Sequence, residues 1–460
     1  MSELLVSTCP ALNYKPLGAV EVSTAGEVEH KVADANAARG PWKELGVAGR
    51  AELLEPIRDE FLARRDEIAT TITGETGKPI PESLVEVEDY CDQITWFLDN
   101  AGTALADEVT KEDESSLHRV VYEPRGVAAV IAPWNFPFGM AVWGVFPNLI
   151  AGNPVVFKTS EETPLVGKKF EEIMLNHDLP KGVFAEVYGA GDVGQMLSHS
   201  NVDLLWFTGS TATGKSLYRT AASKFIPATL EMGGSNPSIV FDDADLDIAT
   251  QFVYGERFQN NGQVCAATKR LIVHEAIADD LVDRLKTIIE TRRIGNPLLD
   301  PAAEVGSLIS QRQAKVAQAQ LDDALVKGAV VLAQNEIPEG LAGAYFPPSM
   351  ISQITRDMRV WHEEVFAPIL PVVSFSTEEQ AIRMANDTIY GLGARVISAD
   401  VERAEAIAAR IEAGTVEINS GSRWEPCNPF GGYKSSGLGR ELGVHGLREL
   451  SQTKVVSRSK

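Results

Sequence analysis

The chain is poor in cysteine, has no excess of positive charge and contains no long apolar run. Each shortage argues against a class of function. Four cysteines occur in 460 residues, Cys9, Cys91, Cys265 and Cys427, far apart and without a CxxC pair. That spacing argues against a disulfide framework or a zinc site and points to a reducing, cytoplasmic setting. Lysine and arginine total 42 against 64 aspartates and glutamates, a formal net charge of −22. Phosphates would be repelled, so neither nucleic acid nor an anionic membrane surface is an expected partner. No apolar stretch reaches the roughly 18 residues that a membrane helix needs. The opening MSELLVSTCPALNYKP has an early glutamate and no basic cluster, so no signal peptide or organelle address is expected. Internal repeats, low-complexity tracts and Pro/Gly linkers are missing too, and the domains should therefore be tightly apposed.

What remains is an ordinary globular composition, 44% hydrophobic and 23% charged, on a chain long enough for two or three domains. Apolar spacing predicts amphipathic helices over 24–38, 47–73 and 82–100. A polar, acidic stretch over 107–116 leads into a strand over 117–123. From there short apolar strands (126–132, 154–158, 183–187, 203–207) alternate with helices (140–150, 165–175, 193–198 and one from 213). This rhythm signals a doubly wound parallel sheet. A second βα series starts at 238–241 and includes helices over 245–260, 276–292, 311–327 and 377–386. A strand over 271–273 and a strand–helix run over 394–413 complete it.

Two phosphate-loop patterns compete. Gly209 to Ser216, within FTGSTATGKS, matches a Walker A loop, whose backbone N–H groups and lysine would hold phosphates. Ser238 to Asp242 resembles a Walker B strand ending in an Mg²⁺-binding aspartate. Gly189 to Gly194 fits GxGxxG after a strand, the dinucleotide fingerprint, but lacks the acidic partner expected about 20 residues later. Local patterns leave ATP hydrolysis and dinucleotide binding both open.

Three other segments carry chemistry. Cys265 lies among small and amide residues in FQNNGQVCAA, a setting unlike that of a core sulfur. Glu231 stands between apolar residues and a glycine turn in LEMGGSNP, where desolvation would raise its pKa towards that of a base working near neutrality. Asn135 sits in the proline-flanked PWNFP, as a fixed amide donor suited to an oxyanion. Together they suit acyl chemistry at a thiol. Separately they read as a core thiol, a helix-capping acid and a turn asparagine.

PWNFP, LEMGGSNP, GQVC, EEVFAP and PFGGYKSSGLGRELG, in this order, resemble the aldehyde dehydrogenase superfamily over nearly the whole chain. The resemblance implies an α/β fold with a Rossmann-type dinucleotide-binding domain (1–105 and 125–233) and an α/β catalytic domain (234–430). It also implies a small β oligomerisation element (106–124 and 452–460), with 431–451 returning to the cofactor side. A homodimer or homotetramer would follow, the edge strand pairing with a partner subunit. The implied reaction oxidises a small aldehyde to the acid with NAD or NADP. Cys265 would be the nucleophile, Glu231 the base that activates water on the thioester, and Asn135 the oxyanion donor together with the Cys265 N–H.

For the cofactor, Lys158 and Glu161 resemble the pair that grips the adenosine ribose, and Glu161 would favour NAD over its 2′-phosphate. Glu364 and Phe366 resemble the residues that hold the nicotinamide ribose and back its ring. Trp134, Gly209 and Ser210 resemble neighbours of the adenosine and pyrophosphate. Thr159, Ala212 and Ala367 depart from the common pattern, replacing a proline, an acid and a glycine. On the substrate side Arg423 would bind a carboxylate such as that of succinate semialdehyde, or pair with Glu425. Trp143 and Trp424 would instead line an apolar tunnel. A CoA-acylating member, a non-catalytic member and a P-loop ATPase are the rival readings.

Overall fold

The computed structural model describes residues 3–421 and 425–460. The first sheet has six strands, in the order Gly437–Leu438, Ala228–Glu231, Leu204–Thr208, Ala128–Ile131, Val155–Lys158, Phe184–Val187. All run parallel except the two-residue edge, which pairs antiparallel with Ala228–Glu231. A parallel strand covered on both faces has no polar side to show. Val155–Lys158 and Leu204–Thr208 are accordingly buried at every position.

Helix Pro137–Ala151 is apolar all round and buried throughout, because the sheet covers one side and helix Ile80–Ala104 another. Phe170, on helix Pro164–Leu175, sits at a hub of rings, with Phe61, Phe138, Phe146, Phe157 and Phe184 at centroid distances of 5.0 to 6.4 Å. Trp42 is fully buried, and its indole N–H is satisfied by the Leu149 carbonyl at 2.9 Å.

The second sheet has seven strands, in the order Val330–Gln334, Ser349–Ser352, Ile369–Phe375, Thr268–His274, Asn236–Val240, Gly393–Ile397, Thr415–Ile418. Only Val330–Gln334 pairs antiparallel. Two small antiparallel sheets complete the chain. One joins Ser451–Ser459, Ser116–Pro124 and Glu108–Glu112, and the other is a hairpin of Leu4–Cys9 and Lys15–Glu21. Among the described residues no helix is long and apolar enough to cross a membrane.

The structure corrects the sequence reading in several places. The single helix expected over 47–73 is two, Gly46–Ala63 and Arg65–Thr76, broken where Arg64 takes φ −100° and ψ 18°. Neither proline nor glycine marks the break, and tertiary packing overrides a continuous helical pattern. The acidic stretch over 107–116 contains the strand Glu108–Glu112, ordered by main-chain pairing with Ser116–Pro124 and by Tyr122 Oη donating to Glu108 at 2.9 Å. The amino-terminal hairpin and the strands Val330–Gln334, Ser349–Ser352 and Ile369–Phe375 were not anticipated.

Candidate active site

The strands of the first sheet end, on their carboxyl side, in a cavity of ≈ 960 Å³ lined by Ile131, Lys158, Thr208 and Glu231. Outside the carboxyl ends of parallel strands, where the strand order reverses, open α/β sheets bind their ligands. Residues from the second sheet's side, Val264, Cys265, Glu364 and Phe366, close the cavity.

Cys265 is partly buried and follows a tight loop. Asn260, Asn261 and Gly262 all take left-handed backbone angles, φ 46°, 53° and 75°. Asparagine and glycine are the residues that tolerate this conformation, which explains the NNG sequence. Side chains lock the turn. Asn260 Nδ2 donates to the Asn135 carbonyl at 2.8 Å, Asn261 Nδ2 to the Ser307 carbonyl at 2.7 Å, and Gln263 Oε1 accepts from Ile309 N–H at 2.9 Å. Asn135 is bound back to the same loop, its Nδ2 donating to the Gln263 carbonyl at 3.0 Å. One amide hydrogen of Asn135 is thereby used, and the residue lines the cavity that its second hydrogen can serve.

Behind Asn135 lies a buried ion pair. Lys78 Nζ reaches Glu86 Oε2 at 2.6 Å and the Asn135 carbonyl at 2.8 Å. Glu86 Oε1 caps helix Pro137–Ala151 by accepting from the N–H groups of Phe138 and Gly139 at 3.0 and 3.1 Å.

Glu231 ends its strand fully desolvated, and its Oε1 has no hydrogen-bond partner among the described residues. Burial, and then the Glu441 and Glu364 carboxylates, push its pKa well above the ordinary value. It lies close enough to Cys265 for the two groups to shift each other's titration. The thiol is likewise pushed well above its usual range by burial and by Glu231 and Glu364, with Lys269 opposing the shift. Glu364 Oε1 accepts from Gly234 N–H at 3.1 Å, and a β-carbon at Gly233 would overlap Glu364 Oε2, so the LEMGG turn is what admits this carboxylate.

Sequence reasoning assigned no role to Glu441, Lys269 or the Lys78–Glu86 pair. Glu441 lies inside the GLGRELG segment, and Lys269 is the second residue of the buried strand Thr268–His274, beside Arg270. A charge inside a glycine-rich segment is the signal that would have marked Glu441.

The other end of the cavity fits a dinucleotide. Lys158 is buried, donates to the Thr159 carbonyl at 2.9 Å and lies 3.8 Å from Glu161, so its ammonium has further donors to give. Helices Gly191–His199 and Thr211–Lys224 present their amino-termini there. Gly191 and Gly209 line the wall, and Ser210 caps the second helix by accepting from Thr213 N–H at 3.3 Å. Free N–H groups at a helix start suit a pyrophosphate. Trp134 lines the same cavity and stands edge-on to Phe366 with ring centroids 5.5 Å apart.

At the opposite end Trp143 packs against Tyr90 at 5.8 Å and Phe430 at 5.2 Å, and its indole donates to Gln93 Oε1. Arg423 and Trp424 lie outside the described residues.

The Walker reading fails on topology. Gly209 to Ser216 leaves a strand of the six-stranded sheet, whereas Asn236–Val240, which precedes Asp242, belongs to the seven-stranded one. A Walker B aspartate must reach the same Mg²⁺ as the loop, but Asp242 is paired with Arg403 at 3.2 Å, and Lys215 is exposed.

Comparison with known proteins gives one consistent result. The model of the aldehyde dehydrogenase family matches residues 2–456. The peroxisomal aminoaldehyde dehydrogenase 1 of Pisum sativum is 39% identical over 91% of this chain and 84% of its own length. The chloroplastic betaine aldehyde dehydrogenase of Beta vulgaris is 36% identical over 97% and 91%. Among solved structures, PnpE in complex with nicotinamide adenine dinucleotide superimposes with a TM-score of 0.95 at 34% identity, covering 99% of this chain and 94% of that one.

Proposed function

The chain belongs to the aldehyde dehydrogenase family, and on that premise we propose that it oxidises a small cationic aldehyde, an ω-aminoaldehyde or a trimethylammonium aldehyde, to the carboxylic acid with NAD(P)⁺. The observation that carries the substrate class is the lining of the cavity's aldehyde end. Glu82, whose pKa burial lifts to about 7, and the exposed Asp89 line the cavity with the rings of Tyr90, Phe136 and Trp143. The cations among the described lining residues, Lys158 and Arg312, belong to the cofactor side, Arg312 lying 3.8 Å from Glu162. Carboxylates with aromatic faces attract ammonium groups and repel carboxylates. The aminoaldehyde and betaine aldehyde dehydrogenases among the relatives support the same class.

In the proposed mechanism the Cys265 sulfur adds to the aldehyde carbon. The charge that develops on oxygen meets the Asn135 amide and the Cys265 N–H. NAD(P)⁺, held by Lys158, Glu161, Glu364 and Phe366, would supply the acceptor for the hydride. The acyl group then remains on Cys265 as a thioester. Glu231 takes a proton from water, whose oxygen attacks the acyl carbon, and the sulfur leaves as thiolate. A hydrolysing base at Glu231 also favours acid over CoA ester as product. Lys158 and Glu161 would hold the adenosine ribose, and Glu161, 41% exposed at the cavity, supports NAD over NADP because it would repel a 2′-phosphate. Glu364 and Phe366 would take the nicotinamide end.

The proposed domains, 1–105 with 125–233 and then 234–430, are supported by the two sheets, whose strands fall largely within these ranges.

Initial rates with 4-aminobutanal, betaine aldehyde, succinate semialdehyde and hexanal test the reading. Cationic aldehydes should show the highest kcat/KM, with NAD⁺ preferred. Asp89→Asn should raise KM for them about five- to tenfold, on the order of 1 kcal/mol, without changing the KM for hexanal. Preference for succinate semialdehyde would overturn the substrate class.

A further inference from the structure

Lys269 is the second residue of the strand Thr268–His274 and is 1% exposed, and a buried lysine needs partners. Its ammonium has three. Nζ donates to the Val365 carbonyl at 3.0 Å, lies 3.9 Å from Glu364 Oε1 and stands 4.7 Å from the centre of the Phe366 ring. These are three consecutive residues, Glu364, Val365 and Phe366, and the first and last line the cavity. Arg257 reaches the same carbonyl from helix Leu246–Phe258, its Nη2 donating to Val365 at 3.2 Å.

Two buried cations therefore hold this segment from behind, while Gly234 N–H holds Glu364 from the other side. The charge of the cluster follows. Burial opposes the charged form of each member, lowering Lys269 to about 7 and Arg257 to about 9 and raising Glu364, while the Lys269–Glu364 contact at 3.9 Å favours both ions. Glu231 faces the thiol and Glu441 acts on Glu231, and burial drives both acids towards their neutral forms. Lys269 is the cation that opposes the rise of the Cys265 thiol and so favours its thiolate.

We propose that Lys269 is a positioning residue of the reaction: it locks the Glu364–Phe366 segment against the cofactor site and supplies the cation that favours the thiolate form of Cys265. The inference rests on Cys265 being the nucleophile of the proposed function. It adds a second tie between the two half-sites, because one side chain couples the cofactor-facing segment to the reacting sulfur.

Two variants separate the roles. Lys269→Met removes charge and hydrogen bond, whereas Lys269→Gln keeps a donor for the Val365 carbonyl and removes only the charge. The first measurement is the rate of Cys265 alkylation by iodoacetamide in cofactor-free protein, followed by mass spectrometry of the Cys265 peptide across pH. Loss of the cation raises the thiol pKa, so in both variants the midpoint should move to higher pH and the rate at pH 7 should fall about tenfold, the change produced by one pH unit. The second is NAD⁺ affinity by calorimetric titration, which should weaken severalfold in Lys269→Met and less in Lys269→Gln.

A purely structural lysine would change melting temperature without moving the alkylation midpoint. Folded variants that keep the wild-type midpoint and NAD⁺ affinity would overturn the proposal, and if Lys269→Met does not fold, Lys269→Gln decides alone. Alkylation is read without aldehyde, so absence of aldehyde oxidation in the wild type would count against the proposed function and not against this measurement.

Discussion

At the scale of single residues, the site is a set of charges kept in the wrong protonation state by burial. Glu231 and Cys265 are both pushed well above their ordinary values, first by desolvation and then by neighbouring carboxylates. A base acts when ionised, so a raised pKa makes its step fail as pH falls through that pKa. Under the proposed mechanism kcat should therefore rise with pH through the neutral-to-alkaline range, and Glu231→Gln should flatten that dependence. A pH–rate profile that stays level in the wild type would remove Glu231 as the base. Much of this was legible in the sequence. An acid between apolar residues and two glycines, and a cysteine after NNGQ, announce desolvation and a tight turn. Lys269 was not legible, because its partners Glu364 and Val365 lie about 95 residues away along the chain and only the sheet brings them together.

At the scale of elements, the cavity depends on helices pinned to the six-stranded sheet. Phe170 anchors Pro164–Leu175 by meeting five other rings, and it is 1% exposed. Phe170→Ala should cost about 3–5 kcal/mol of stability, read by chemical denaturation, while KM for the aldehyde changes little in the folded fraction. A loss below about 1 kcal/mol would mean that the hub repacks. The βα elements from 126 onward were readable because buried parallel strands appear as short apolar runs between helical periods. The break at Arg64 was not, since no residue there disfavours helix. The strand Glu108–Glu112 was hidden by its charge, being exposed at most positions and ordered by its neighbour's backbone.

At the scale of the whole molecule, the three-stranded antiparallel sheet ends in Ser451–Ser459, which pairs with Ser116–Pro124 on one side only. An edge strand with a free row of backbone groups invites pairing, and Val455 on it is 68% exposed. A homodimer or homotetramer is the proposed state. Light scattering should give a mass at least twice the 49.8 kDa of one chain, and deletion of 451–460 should reduce it to a monomer. A monomeric full-length protein would contradict that. A charge of −22 on each chain opposes association, so added salt should tighten it. The central claim, that an aldehyde is oxidised while bound to Cys265, is tested most directly in the Glu231→Gln variant. Mixed with 4-aminobutanal and NAD⁺, it should release one equivalent of NADH per site and then turn over slowly, with the Cys265 peptide carrying the mass of the acyl group. Continuous NADH formation with Cys265 unmodified, or wild-type turnover by Cys265→Ala, would contradict the account.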